Sequence, residues 1–341
     1  MINIKRHLTQ DIIDEHFSNI YLNNINLETG KSKKIMPNYL DELLDLDLND
    51  RQRTAIEFLK LNVCNQENSI LIRDVNALSE FKKEYEESFK TVLDTEIVYK
   101  QNKSMTLRRY LLDKVFYYAD YDRWDAYGLA KKLNVNVCPY CNQLPTYTIG
   151  TSLKKGVRPE FDHFFDKARF PYLALSIYNL VPSCHICNSN LKGSTKLNLD
   201  DHYHPYLKGF DEQGIKFTLG IEKVEMLLTS IYQKKAVFKE KDTYKIEIVG
   251  SENINIFRLE DRYNYDISYI DEIIKKAFIY NDSYVESLYK EWDELFSSKE
   301  EIKQTLMGNY LNSQDIGKRP LGKLTRDITE ELNIFSKKTF L

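Results

Sequence analysis

Two CxxC pairs bracket an Asp-His step in this chain: Cys138-Pro-Tyr-Cys141 lies upstream of Asp162-His163, and Cys184-His-Ile-Cys187, followed directly by Asn188, lies downstream. A CxxC pair offers two thiolates to one tetrahedral Zn2+, and two pairs fill its four positions. Cys138, Cys141, Cys184 and Cys187 are therefore expected to hold a structural zinc ion that clamps the residues between them around a candidate active site. Disulfides are the alternative. No apolar leader stretch follows Met1, because Lys5, Arg6 and His7 arrive at once. Export to an oxidising compartment has no support, and the chain reads as cytoplasmic with reduced thiols. Cys64 has no partner at ligand spacing and reads as a small buried apolar residue.

The elements between the two pairs can be placed from pattern. Leu144 to Thr151 favours a strand, Lys154-Lys-Gly156 a turn, and Val157 to Phe164 a second strand that carries Asp162 and His163 to its end. Adjacent strand residues face opposite sides, so these two share a side only where the strand ends or bulges. Phe170-Pro171 opens a connection that reaches Asn179, and Leu180-Val-Pro-Ser183 leads into the second cysteine pair. A short helix after Cys187 would present Asn188 and, one turn on, Lys192.

These residues resemble the HNH, or His-Me finger, nucleases: Asp162-His163, Asn179 sixteen residues on, Asn188 nine further, and the phrase Tyr178-Asn-Leu-Val-Pro-Ser-Cys-His-Ile-Cys-Asn188 with Lys192-Gly193. The resemblance covers roughly 137–193, under a quarter of the chain. It implies phosphodiester hydrolysis with one divalent metal, His163 as general base, Asp162 and Asn188 as metal ligands, and Asn179 as the residue that orients His163. Many members carry histidine where this chain has Asn188, which makes it an HNN form. Two oxygen donors favour Mg2+ or Mn2+. The chemistry suits the residue types: a neutral imidazole can take a proton from attacking water, and a divalent ion can neutralise the leaving oxygen. Lys192, Arg169 and Lys167 are candidate phosphate contacts. His185 reads as a surface residue of the second pair, and His202 and His204 stay outside the primary site.

The expected fold is α+β, a zinc-stapled ββα-metal module embedded between mainly α-helical flanks. Residues 1–134 read as a largely helical region, with Leu107, Leu111, Val115 and Tyr118 on one face and Ser79 to Leu93 as a charged amphipathic stretch. Residues 135–206 form the module. Residues 207–341 begin with short alternating stretches at Ile215, Phe217, Leu219 and at Tyr244, Ile246, Ile248. A helical stripe of Ile270, Ile273, Ile274, Ala277 and Phe278 follows.

Composition bounds the rest. With 341 residues, 42% hydrophobic and 29% charged, the chain reads as soluble and globular, and it has neither an apolar run of membrane length nor a fixed-period repeat. The net charge is -3, yet Cys138 to Leu199 holds seven Lys and Arg against three Asp and Glu, a local balance of +4. That concentration supports a phosphate-bearing partner such as DNA. The 24 tyrosines are spread along the chain and read as packing. Trp124-Asp-Ala-Tyr127 and Lys318-Arg-Pro-Leu-Gly-Lys-Leu-Thr-Arg-Asp327 resemble the flanks of bacterial HNH proteins that accompany ATPases in anti-phage defence, as in the Septu type, which implies an ATPase partner. The rival readings are a catalytically silent zinc module that binds nucleic acid or a protein, and an RNA-cleaving toxin that uses the same site.

Overall fold

The computed structural model describes residues 1–22, 35–100, 103–121, 124–150, 156–233, 245–250 and 256–335. It combines α-helices with small antiparallel strand pairs, an α+β-like mixture. Packing groups the chain into two compact units. One unit comprises 4–135 and 146–207, and the other comprises 1–3, 136–145 and 208–341.

In the first of these units, helices α1 (Gln10–Tyr21), α2 (Met36–Leu44), α3 (Asp50–Cys64) and α4 (Val75–Leu93) build a scaffold. Asn49 starts α3 with a capping box: its side chain accepts from Gln52 N–H at 2.9 Å and Gln52 Oε1 accepts from Asn49 N–H at 3.0 Å. Asp74 caps α4 by accepting from Ala77 N–H. The apolar faces of α3 and α4 meet in a cluster of rings, Phe58, Phe81, Tyr85 and Phe89. Tyr172, far along the chain, completes that cluster 4.5 Å from Tyr85. Ile177 N–H donates to Leu71 O, and His16 Nε2 donates to Leu175 O. The N-terminal helices therefore grip the 171–177 connection, which is why the two stretches share one unit.

After the ribbon β1 (Glu96–Lys100) and β2 (Lys103–Thr106), α5 (Leu107–Tyr110) passes into a π-type turn, Leu111–Val115. Leu107, Leu111 and Val115 are buried as expected, but the helix ends there and Tyr118 lies beyond it. Helix α6 (Ala126–Leu133) follows.

The strand pairing differs from the expected hairpin. Leu144 to Thr151 contributes only isolated bridges, Val137 to Pro145 and Ile149 to Val157. Thr151 and the Lys154-Lys155 part of the expected turn lie outside the described residues. The strand bearing Asp162 and His163, β3 (Glu160–His163), pairs instead with β4 (Leu180–Ser183). Proline cannot donate to a ladder, so Pro182 is an unfavourable residue within a paired strand. The register resolves this: Phe164 N–H donates to Asn179 O at 3.2 Å, and bonded pairs alternate, so Pro182 opposite Phe161 falls where no donor is needed. The whole of β4 is buried.

In the other unit, β5 (Lys216–Thr218) pairs with β6 (Glu247–Val249), Phe217 opposite Ile248. Tyr244 of that expected strand lies outside the described residues. Helices α7 (Ile221–Tyr232), α8 (Leu259–Tyr263), α9 (Ile267–Ile279), α10 (Asp282–Glu291), α11 (Lys299–Met307) and α12 (Gly322–Glu331) complete it. The stripe on α9 buries Ile270, Ile273, Ile274 and Ala277.

The first cysteine pair is shaped here. Cys138 N–H donates to Leu144 O, Asn142 N–H to Cys138 O, and Tyr263 Oη to Cys141 O. Asn142 adopts φ 50°, a left-handed conformation that asparagine tolerates. The segment Lys318 to Asp327 docks on it: Leu321 N–H donates to Asn142 O at 2.7 Å, Lys323 N–H to Asn142 Oδ1 at 2.8 Å, and Asn142 Nδ2 to Ile316 O at 2.9 Å. A Cβ at Gly322 would lie 2.4 Å from Ile316 O, so only glycine permits this approach. Arg326 forks onto Asp211 and also meets Asp327, while Lys323 pairs with Asp327.

Candidate active site and metal centre

The ligand atoms of Cys138, Cys141, Cys184 and Cys187 all lie within 4.8 Å of one another, and all four residues are buried. Tetrahedral Zn–S bonds of about 2.3 Å put sulfurs roughly 3.8 Å apart, so four thiols this close suit one zinc ion. All four cysteines are free of disulfides. The second pair adopts a knuckle turn, with Cys187 N–H donating to Cys184 Sγ at 3.4 Å and Asn188 N–H to Cys184 O at 3.0 Å. An N–H directed at sulfur stabilises a thiolate. Cys64 is half-buried, away from this group, and burial pushes its thiol pKa up.

Asp162, His163 and Asn188 line one open cleft of about 310 Å3 beside the strand pair. Asp162 and His163 are the last two residues of β3, and both line this cavity. Asn188 sits on a π-helix, Ile186–Lys192, closed by Gly193 N–H donating to Asn188 O at 2.9 Å.

The protonation pattern of His163 follows from its partners. Nε2 lies 3.0 Å from Ala174 O, and a carbonyl can only accept, so Nε2 carries the proton in the neutral ring. Nδ1 is then the basic nitrogen, and it faces Lys167 Nζ at 3.5 Å. Burial, with Lys167 and then Lys192 nearby, holds the imidazole pKa well below its usual range. Tyr118 packs edge-on to the ring at 4.4 Å, and Trp124 Nε1 donates to Tyr118 O, which gives the Trp124–Tyr127 segment a buttressing role.

The His163 ring nitrogen Nε2 is met by Ala174 O, and Asn179 makes its side-chain hydrogen bonds to backbone groups. Its side chain is buried and committed to backbone: Oδ1 accepts from Phe165 N–H at 2.7 Å, and Nδ2 donates to Phe165 O at 3.1 Å and Leu173 O at 3.0 Å. It closes the 164–173 loop, and Ala174, next to Leu173, then meets the histidine. Sequence spacing puts Asn179 near His163 but cannot distinguish a direct bond from one relayed through backbone.

The three basic candidates have different surroundings. Lys192 lines the cleft but is buried, and it bonds to Asp162 Oδ1 at 2.5 Å and His163 O at 2.7 Å, so its charge is paired internally. Lys167 lines the cleft, half-buried, over the Tyr118 ring. Arg169 lies outside the cleft, its guanidinium over Phe170.

Glu160 is the site residue that sequence reading missed. It shares the cleft-lining strand with Asp162 at a spacing of two, which places both on one face, and that spacing was the available signal. Its carboxylate accepts from Asn188 Nδ2 at 2.7 Å and Ser189 Oγ at 2.7 Å, and meets exposed His185 Nδ1 at 2.6 Å. These hydrogen bonds outweigh burial and lower the Glu160 pKa. Because Glu160 takes the amide nitrogen of Asn188, the amide oxygen is the atom of that side chain that could serve as a metal ligand. His204 belongs to the core, its ring tilted against Phe164 at 4.3 Å with its pKa lowered to about 3 by burial, and His202 accepts from Asn198 N–H in a local turn.

Comparison with family models, curated proteins and solved structures finds no match to this chain. Among the described residues no helix is long and apolar enough to cross a membrane.

Proposed function

We propose that this protein is a metal-dependent endonuclease of the HNH type that hydrolyses DNA phosphodiester bonds in the β3 cleft. The observation that carries the reading is the state of His163: Nε2–H is tied to a carbonyl, and the basic Nδ1 belongs to a residue that lines the same cleft as Asp162 and Asn188. His163 Nδ1 accepts the proton of the attacking water, and the Ala174 carbonyl keeps the ring in place and shares the charge gained. Lys167 disfavours protonation of the resting imidazole. Asp162 Oδ and Asn188 Oδ1 are hard donors that suit Mg2+ or Mn2+, which when bound would polarise the scissile phosphate and offset charge on the leaving oxygen. Glu160 holds the Asn188 amide in the orientation this requires. The zinc site braces the module.

The resemblance of the flanks supports a role in cytoplasmic anti-phage defence beside an ATPase partner. The test is cleavage of supercoiled plasmid and of an RNA of matched length with Mg2+ or Mn2+, with and without EDTA. DNA cutting that EDTA abolishes is expected, and His163→Ala should lower it by about 10²–10⁴-fold while DNA binding survives. Cutting of RNA alone would move the reading to the toxin-like alternative. Undiminished cutting by His163→Ala, against a mock purification, would refute the mechanism.

A further inference from the structure

Beside the cleft, the same unit carries a second groove whose cations come from two places: Lys82, Lys83 and Lys90 on α4, and Arg169 with Lys196 from the segments facing it. Asp166 lines both cavities, so the groove and the cleft are neighbours. The acidic residues along it are Glu86, Glu87 and Asp166, fewer than the cations.

Aromatic rings, rather than carboxylates, hold the inner cations. Lys82 Nζ sits over the rings of Phe165 at 4.7 Å and Phe170 at 5.2 Å, and Arg169 Cζ over Phe170 at 4.9 Å. A ring face attracts a cation without cancelling its charge, so two positive groups on one ring still repel. Burial first, then Arg169 and Lys83, lower the Lys82 pKa, with Asp200 and Glu86 opposing them only in part. The loop carrying Arg169 is held from behind, because Arg108 donates to Arg169 O and also pairs with Asp94 at 2.8 Å. On α4, Lys83 and Lys90 stand seven residues apart on one face, about 10 Å along the helix axis. That spacing is comparable to a short run of backbone phosphates. Phe170 is buried beneath its cations and offers no open face for a base.

We propose that this groove carries the phosphate backbone of the nucleic-acid strand whose scissile bond enters the cleft, with the strand crossing the Asp166–Phe170 turn onto α4. The inference rests on the nuclease reading of the cleft and adds Lys82, Lys83, Lys90 and Lys196 to the contact surface. Recognition there is by charge and independent of base sequence.

The test uses the full chain with Lys83→Gln, Lys90→Gln and Lys196→Gln combined, all at exposed positions. Binding of a short fluorescein-labelled DNA strand, without divalent metal, is followed by anisotropy between about 50 and 200 mM salt. The triple variant should bind roughly tenfold or more weakly at the low-salt end, and its log–log salt slope should be shallower by about 0.7 for each phosphate that is no longer neutralised. The matching Lys→Arg triple should keep the wild-type slope, and a melting curve checks folding. An unchanged slope in the Gln variant, or no binding by the wild type, overturns the proposal. Cleavage of the same strand by wild-type protein with Mg2+ is read separately. Binding with the expected loss but no cutting refutes the nuclease reading alone, whereas cutting with an unchanged slope refutes the groove alone.

Discussion

Replacing Asn179 tests whether the loop behind His163 is held as the hydrogen bonds imply. The side chain is fully buried and makes three bonds to backbone. In Asn179→Ala, Leu173 O keeps a second donor in Ser176 N–H at 3.2 Å, so its loss is partial. Phe165 N–H loses its acceptor in a buried place, which costs about 1–3 kcal/mol, and the two weaker losses add about 1 kcal/mol together, giving roughly 3 kcal/mol. Asn179→Asp sharpens the test. It keeps the acceptor for Phe165 N–H but sets a carboxylate oxygen against two carbonyls, so the folded state should raise the new carboxyl pKa above its unfolded value of about 3.9. A raised folded-state pKa contributes stability below the unfolded value and loses it as pH rises through the folded value. The penalty of Asn179→Asp relative to wild type should therefore grow from pH ~5 to ~8, and that of Asn179→Ala should stay flat. Urea unfolding of zinc-loaded protein at each pH measures both. A cost for Asn179→Ala below about 0.5 kcal/mol, or a flat profile for Asn179→Asp, would refute the reasoning.

Cys187→Ser should strip the tightly held zinc and disorder the module, which elemental analysis and near-ultraviolet circular dichroism would register together; active wild-type protein without zinc would reject the site. Glu160→Ala should release the Asn188 amide and raise the Mg2+ concentration for half-maximal cleavage about 10–100-fold, with kcat at saturating metal much less affected. An unaltered metal dependence would exclude that role. Fully buried His16 and His204 have pKa values lowered to about 4 and about 3, so their stability contribution is complete above the unfolded value near 6.5 and is lost as pH falls toward 4. Each should add a loss of about 1.4 kcal/mol per pH unit below ~6.5, and His204→Phe should reduce the steepness measured by urea titration.

Sequence alone determined what depends on residue type and short spacing. Four cysteines in two CxxC pairs read as one metal centre because thiolates at that spacing have few other uses in a reduced chain, and the structure gathers their sulfurs. The stripe on α9 and the amphipathic α4 were legible because a helix repeats its buried face every three to four residues. The strand carrying Asp162 and His163 was legible for the same local reason.

What the strand pairs with was decided only in three dimensions. Pro182 hides β4 from any reading by propensity, and its tolerance depends on register, which is a property of two strands together. Lys192 looked like a free cation until folding buried it against Asp162, and Arg169 turned away from the cleft toward Phe170. Asn179 acts through backbone groups that lie six and fourteen residues away in sequence, and the carbonyl that sets the His163 tautomer belongs to Ala174, a residue with no chemical signature of its own. Backbone donors and acceptors are identical at every position, so only the path of the chain can select which of them serves a site.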